Sequence, residues 1–449
     1  MMSGYSTIDD WRPLTTQLGS VHSVYGQLKQ HLKRTPDLID DPAGESGASF
    51  ILYPIALYIS ILGKAGKYQE AFDAFHALDT DGPLAPDSKI YSSLLSVLAE
   101  RAGATDVNAE VIAQSVSEAK YIWRRHMRSF DRQPQHNVEP RSIEVMIKLL
   151  SRGKPSDHEL MFDILRDICG LPSPSVGRRP SPPPPPKKKV KLTTWILKEI
   201  LEGCIAAGRP EMAVHYAQSV MDTRELRPIL SAWHLHNLLR AHIILAKKSP
   251  ASPSRAENVA SWVEWMVAQD PARKSKETKP NEYTIVSALG LCHLSKDTHS
   301  ALRIVRAMIS DDSNKGRPTG TGMHGATSSG SLSLPVKAWE YLFYLATMPG
   351  QGSSDEKRQC LEIFQSYGFA ILDVWEKSTL AAIERFEPME KRAHISLALH
   401  IVQVLKTALP SSSDHGGAEK PVAAADFEAW SDIRKRAELF LEKTRRRKS

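Results

Sequence analysis

The sequence predicts an all-α protein built from repeated helical hairpins. Three observations carry the prediction. Apolar residues recur at helical spacing, as in Leu57 and Ile61 and again in Ile90, Leu94 and Val97. No run alternates between apolar and polar residues as a half-buried strand requires. A helix-ending glycine or its equivalent, followed by a small residue in the next helix, returns every 40–48 residues.

Length and composition set the outer bounds. The 449 residues exceed one small domain, so several domains or a repeat array are expected. Hydrophobic content of 41% with 24% charged residues excludes wholesale disorder. Cys169, Cys204, Cys292 and Cys360 stand far apart with no CxxC pair. That excludes a disulfide-stapled secreted scaffold and a closed structural zinc site, and fits a reducing compartment. The best apolar run, Phe50 to Leu62, is broken by Pro54 and ended by Gly63, and falls short of the ~20 residues of a membrane span. Asp9 and Asp10 open the chain where a secretory signal would be basic and then apolar. Trp11 to Pro36 carries Arg12, Lys29, Lys33 and Arg34 with no acid, as a surface helix or a transit peptide does.

The elements follow in order. Residues 1–49 form an N-terminal helical, partly disordered segment. Residues 50–169 form a first hairpin array, with helix-friendly runs at Gln69 to Leu78 and Ser115 to Met127. Residues 170–191 are a Pro/Lys-rich linker, because the unbroken prolines Pro182 to Pro186 cannot be helical. Residues 192–309 form a second array. Residues 310–334 are a Gly/Ser-rich flexible loop. Residues 335–409 hold C-terminal helical hairpins, 410–422 a further linker, and 423–449 a basic C-terminal helix. Ala393 to Leu405 and Phe427 to Lys443 are expected to be helical and to cap the array.

Charge is unevenly placed. The net +7 and pI near 9.0 invite a nucleic-acid reading. Residues 170–192 carry six basic residues and no acid, and residues 434–449 carry eight against Glu438 and Glu442. The remaining body is slightly acidic. Lys187, Lys188, Lys189 and Lys191, with Arg445, Arg446, Arg447 and Lys448, are the candidate phosphate contacts, and plain solvated ends are the other reading.

The repeat is sharpest at Lys64-Ala65-Gly66-Lys67-Tyr68-Gln69-Glu70-Ala71, with Phe75 one turn on. A small residue there lets two antiparallel helices approach, and the later aromatic fills the same face. The pattern returns at Glu118-Ala119 with Trp123 and at Ala213 after Ala207-Gly208-Arg209. It returns again at Val259 with Val263 and Met266, and at Ala301 with Val305 and Met308. Units close on Pro86-Asp87, Pro140-Arg141 and Pro280-Asn281, where proline stops one helix and an Asp or Asn caps the next.

These residues resemble the pentatricopeptide repeat. Its hairpin reads Tyr-Asn-x-Leu-Ile in the first helix, Lys-x-Gly at the turn, Glu-Ala-x-x-x-Phe in the second helix and Pro-Asp at the close. Leu52 to Asp87 and Glu282 to Ile309 match well, and Ser88 to Arg141 matches at both ends around an insertion. Thr194 to Pro228 matches moderately; Ser142 to Asp167, Trp233 to Asn281 and Lys337 to Gly368 are degenerate. The resemblance covers roughly residues 50–370. Tetratricopeptide repeats share the Tyr-x-Glu-Ala-x-x-x-Phe portion, and the Pro-Asp close favours the pentatricopeptide form.

The resemblance implies a right-handed α-solenoid of helical hairpins with a concave groove lined by first helices. Such grooves mostly hold single-stranded RNA, one base per repeat. The family reads bases with the fifth residue of the first helix and the last residue of the unit. That pairs Ala56 with Asp87, Ser92 with Arg141, and Lys198 with the close near Pro228. Tyr53, Lys89, Tyr283 and Val286 complete the candidate RNA-binding set. Ala56 cannot hydrogen-bond a base edge, and Arg141 suits phosphate or stacking, so no target is decoded. Arg124, Arg125, Arg128 and Arg132 with His126 form a further basic cluster, read either as a phosphate contact or as a solvated helix end.

Other motifs fail on context. Gly320-Thr321-Gly322-Met323-His324-Gly325 spells a dinucleotide fingerprint with no strand before it and no helix at its end. Gly63-Lys64-Ala65-Gly66-Lys67 lacks the Ser or Thr and the glycine spacing of a P-loop. His234, His236 and His242 have no carboxylate or cysteine at ligand spacing. Trp123, Trp262, Trp265 and Trp339 fall on helix-packing positions. No catalytic constellation stands in the chain, so no enzyme activity, cofactor, metal or small-molecule substrate is expected, and no membrane. Pro186 to Leu192 resembles a nuclear import signal, whereas the family is mostly organellar. Mitochondrial location is the first expectation, nuclear or cytosolic the alternative. Two function classes stay open: an RNA-binding protein of organellar RNA processing, stability or translation, and a protein-interaction adaptor within a larger ribonucleoprotein, which the acidic body favours.

Overall fold

The fold is taken from a computed structural model. It describes every residue except 1, 6, 9–10, 12–13, 35–44, 80–83, 133–137, 172–189, 250–253, 270–279, 316–333, 349–351, 378–382, 384, 409–426 and 446–449. Among the described residues the protein is all-helical, with no strand. The chain forms two compact units, Met1–Ile229 and Leu230–Ser449.

Unit 1 contains α1 (Met2–Tyr5), α2 (Thr15–Arg34), α3 (Glu45–Lys64), α4 (Tyr68–His76), α5 (Ser88–Gly103), α6 (Ala109–Arg132), α7 (Pro140–Leu150), α8 (Pro155–Asp167), α9 (Thr194–Ala206) and α10 (Pro210–Asp222). From α3 onward each odd-numbered helix packs on the even-numbered helix after it. The odd-numbered helices also pack in series, α3 on α5, α5 on α7 and α7 on α9. Unit 2 contains α11 (Ala232–Lys248), α12 (Ser254–Val267), α13 (Glu282–Ser295), α14 (Thr298–Lys315), α15 (Val336–Thr347), α16 (Ser354–Tyr367), α17 (Phe369–Lys377), α18 (Pro388–Ala408) and α19 (Phe427–Arg445). It repeats the arrangement, with α11 on α13, α13 on α15 and α15 on α18. This is a helical-repeat-like architecture in each unit. Each sequence unit from Leu52 to Gly368 overlaps one such helix pair, although Leu52 lies inside α3 and Arg141 inside α7.

The hairpin turns are built alike because their sequences ask for the same geometry. Gly66 and Gly208 take left-handed φ values of 74° and 72°. The residue after each turns its N–H back on the helix, Lys67 to the Leu62 carbonyl at 2.8 Å and Arg209 to the Cys204 carbonyl at 2.9 Å. The turn between α13 and α14 makes the same bond, from Asp297 to the Cys292 carbonyl at 2.9 Å, although Lys296 holds the left-handed position. The small residue of each hairpin, Ala71, Ala119, Ala213, Val259 or Ala301, is 0% exposed. At Gly63 a Cβ would stand 2.6 Å from Val97 Cγ2, so α3 and α5 approach at a bare backbone.

First helices start on side-chain caps. Asp87, Thr193 and Asn281 accept the N–H groups of Ile90, Ile196 and Thr284 at 2.9, 3.1 and 2.8 Å. The break between α8 and α9 is closed at both ends. Leu171 donates to the Leu165 carbonyl at 2.9 Å and Val190 to the Ile168 carbonyl at 3.1 Å. Series packing of α7 on α9 therefore continues across the break.

Each unit also has a closing element. At the N-terminal end Tyr25 of α2 stacks on Tyr58 with centroids 3.8 Å apart, His22 bonds the Tyr58 hydroxyl at 2.8 Å, and Trp11 is buried. In unit 2, α19 lies on α17 and α18, with Phe440 stacked on Trp375 at 5.3 Å. The Trp375 indole N–H donates to His394 Nδ1 at 2.9 Å. Trp123, Trp262 and Trp339 are core residues, and Trp265 is half-buried. No helix of the described residues is long and apolar enough to cross a membrane.

Candidate nucleic-acid interface

The helix caps give one register for all first helices. The cap residues are Asp87, Glu139 and Thr193 in unit 1 and Ser231, Asn281 and Pro335 in unit 2. Two residues after each cap come Lys89, Arg141 and Trp195, and Trp233, Tyr283 and Lys337. Tyr53 joins the unit 1 set through Lys89, whose Nζ lies 5.3 Å from the Tyr53 ring centroid. The second position of the first helix is thus aromatic or cationic in the six hairpins from α5 to α15, while Tyr53 stands mid-way along α3 beside Lys89.

These side chains face water. Tyr53 is 44% exposed, Trp195 64%, Trp233 58% and Tyr283 63%. Among the described residues they are four of the five exposed Tyr, Trp or Phe side chains, the fifth being Tyr121 on α6. Isolated exposed aromatics need no explanation, but three at one structural position do. Basic side chains accompany them. Lys198 Nζ stands 6.0 Å from the Trp195 ring, and His236 lies 5.1 Å from Tyr283. Trp195 and Trp233 are absent from the set expected from sequence. Their signal was available in the spacing from Thr193 and Ser231, which are visible as caps.

The fifth positions differ from one another. Ala56 is buried and carries no polar group. Ser92 is buried and hydrogen-bonds Glu139, the cap of α7. Burial raises the Glu139 carboxyl, Asp87 repulsion raises it further, and Lys89 works against both. Cap register therefore makes Glu139, rather than Arg141, the counterpart of Asp87. Arg141 corresponds to Lys89, and it is exposed and paired with Glu144 at 3.2 Å. Lys198 is held between Glu199 and Glu202 at 3.6 and 3.7 Å, and Val286 is half-buried.

The basic segments divide differently. Lys187, Lys188, Lys189, Arg446, Arg447 and Lys448 lie outside the described residues, whereas Lys191 and Arg445 are exposed. Within α19 the cations meet unit 2's own groups. Arg434 pairs with Glu438 at 3.0 Å, and Arg436 with Glu376 and Asp432 at 3.0 and 2.8 Å. Lys443 donates to the carbonyls of Trp375 and Glu376 at 3.1 and 2.9 Å. In the α6 cluster Arg125 covers the Phe75 ring at 4.9 Å, His126 stacks under Tyr91, and Arg124 and Arg128 are exposed. The Arg132 side chain lies outside the described residues.

Other chemistry is thin. Burial pushes the thiols of Cys169, Cys204 and Cys360 up to about 12, and Cys292 higher still. His234 Nδ1 accepts the Ser231 N–H at 2.9 Å, and buried His242 is pushed down to about 4. Among the described residues no cluster of three or more His, Cys, Asp or Glu is placed to hold a metal ion. A cleft of about 390 Å³ opens between α4, α5 and α6, floored by the Arg101–Glu118 pair at 3.0 Å and edged by Phe72 and Tyr121; no first-helix row residue lines it. The chain matches no family model, and no curated protein matches it in sequence.

Proposed function

We propose that the chain is a non-catalytic single-stranded RNA-binding protein whose hairpins form a right-handed solenoid of the pentatricopeptide type. The carrying observation is the row of aromatic and cationic side chains two residues after the cap of successive first helices, Lys89, Arg141 and Trp195 in unit 1 and Trp233, Tyr283 and half-buried Lys337 in unit 2, with exposed Tyr53 beside Lys89. Aromatic faces stack on unpaired bases, and interleaved cations take the phosphates between them. A duplex hides its base faces, so this row suits single strands. The mixed fifth positions argue for contact through stacking and backbone more than through base-edge readout.

Titration of the purified full chain with labelled single-stranded and duplex RNA at moderate salt tests this. Preference for the single strand is expected, and no binding to either sinks the reading. Crosslinking in cells, with sequencing of the bound RNA, tests the organellar role; mitochondrial transcripts are expected.

A second reading is a protein-interaction adaptor. The Asp87–Glu139 carboxylate pair beside Lys89 supports it, because acids in the groove repel phosphate. Copurified protein with no crosslinked RNA would favour it.

A further inference from the structure

The resemblance to known repeats stops near residue 370, but the series of packed helices does not. Helix α18 packs on α15 as α15 packs on α13. Lys337, the unit 2 row residue on α15, begins a chain of side-chain contacts that runs across this junction. Its Nζ stands 5.0 Å from the Tyr341 ring centroid. His293 of α13 stacks on Tyr341 at 5.4 Å and meets Tyr344 edge-on at 4.4 Å. Tyr344 in turn lies 4.8 Å from His400 of α18. A Cβ at Gly290 would stand 3.2 Å from the Tyr341 ring, so the tyrosine lies directly on the α13 backbone. The tyrosines and histidines are all half-buried, with His293 Nδ1 itself buried.

We propose that Lys337, Tyr341, His293, Tyr344 and His400 form a proton-linked RNA contact that carries the unit 2 row past the last repeat and on to α18. The inference rests on the RNA reading above. The charged and titratable groups facing the two histidines are Lys337, Glu340, Tyr341 and Tyr344 of α15, with each histidine facing the other. Glu340 is already occupied, by Lys337 at 2.8 Å and by the Ser396 hydroxyl at 2.9 Å. His400 Nε2 has one partner, the Thr347 hydroxyl at 3.1 Å. Burial holds both histidines below their ordinary value; Lys337 adds to this at His293, and His293 adds to it at His400. The two imidazoles are therefore neutral at neutral pH and stand with the tyrosines as an aromatic strip beside Lys337, suited to stacking. A phosphodiester laid on it favours the protonated imidazoles, because each proton adds a cation beside an anion. Binding thus takes up protons, and affinity rises as pH falls.

The test uses the full chain and a labelled single-stranded RNA, with ionic strength fixed, at about pH 7.5 and about pH 5.8. The wild type should bind roughly fivefold to tenfold tighter at the lower pH. The H293Q/H400Q double variant should lose most of that gain. A variant that keeps the wild-type pH dependence, with RNA still bound, overturns the inference and leaves the RNA reading standing. No binding by the wild type at either pH overturns both. Where the variant unfolds, histidine ring proton resonances of the wild type replace it. RNA should raise the midpoints of His293 and His400, and unchanged midpoints in the bound protein overturn the inference.

Discussion

The first-helix row and the C-terminal helix α19 are both candidate phosphate contacts, and they treat their charged side chains in opposite ways. Lys89 and Arg141 stand exposed at the start of α5 and α7, beside exposed aromatics. Arg434, Arg436 and Lys443 of α19 are turned on to carboxylates and carbonyls of unit 2. A count of basic residues therefore overstates what α19 offers a polyanion. The difference teaches that a helix which docks by a charged flank spends its cations on its own unit, whereas the row leaves its aromatics in water, as the proposed RNA contact requires.

The comparison breaks most visibly if α19 is not structural. Phe440 is fully buried on Trp375, so F440A should cost about 3–5 kcal/mol of stability, read by denaturant unfolding. RNA affinity measured well below the unfolding transition should barely change. A small stability loss would mean that α19 is only loosely held.

Proton linkage at the same core gives a comparable effect. His394 is held from its ordinary 6.5 down to about 4 by burial, with Trp375 donating to its Nδ1. The folded state keeps the neutral ring. Its full contribution is present above about pH 6.5 and is lost as pH falls toward about 4, up to about 3 kcal/mol. Denaturant unfolding at several pH values checks this, and H394Q should flatten the slope.

On the row, W195A/W233A should weaken single-stranded RNA by about 1–3 kcal/mol for each stacked base lost, with thermal stability nearly unchanged because both rings are exposed. A fall in stability without a fall in affinity would make these tryptophans packing residues. The smallest effect belongs to the row cations. K89A/R141A should lower the salt slope of binding by about 1.4, at roughly 0.7 per phosphate contact on a single strand. R434A should leave that slope unchanged.

Much of the fold was legible because it rests on local chemistry. Gly66 and Gly208 announce left-handed turns, Ala71 and Ala213 announce close helix contacts, and Asp87 and Asn281 announce helix starts. The site was less legible. Trp195 and Trp262 are the same residue type, yet the first is exposed at the start of a first helix and the second buried in a second helix. Proline misled the register of α7. Pro86 and Pro280 precede their caps, whereas Pro140 follows its cap at the first helical position, which proline tolerates equally well. That two-residue shift exchanges Arg141 for Glu139 at the closing position. The fifth-position serine gains an acid as neighbour where a cation was expected, and no spacing rule distinguishes the two prolines.

The anchoring of Leu171 and Val190 to the end of α8 gives the protein a port. Chain entering at one anchor and leaving at the other returns to the same carbonyl-bearing turn, so the stack of α7 on α9 does not register what lies between. Doubling the length of such a closed excursion costs only about 0.6 kcal/mol. A reporter domain spliced between the two anchors, or wholesale exchange of the lysines there, should therefore leave the packing of α7 on α9 unchanged.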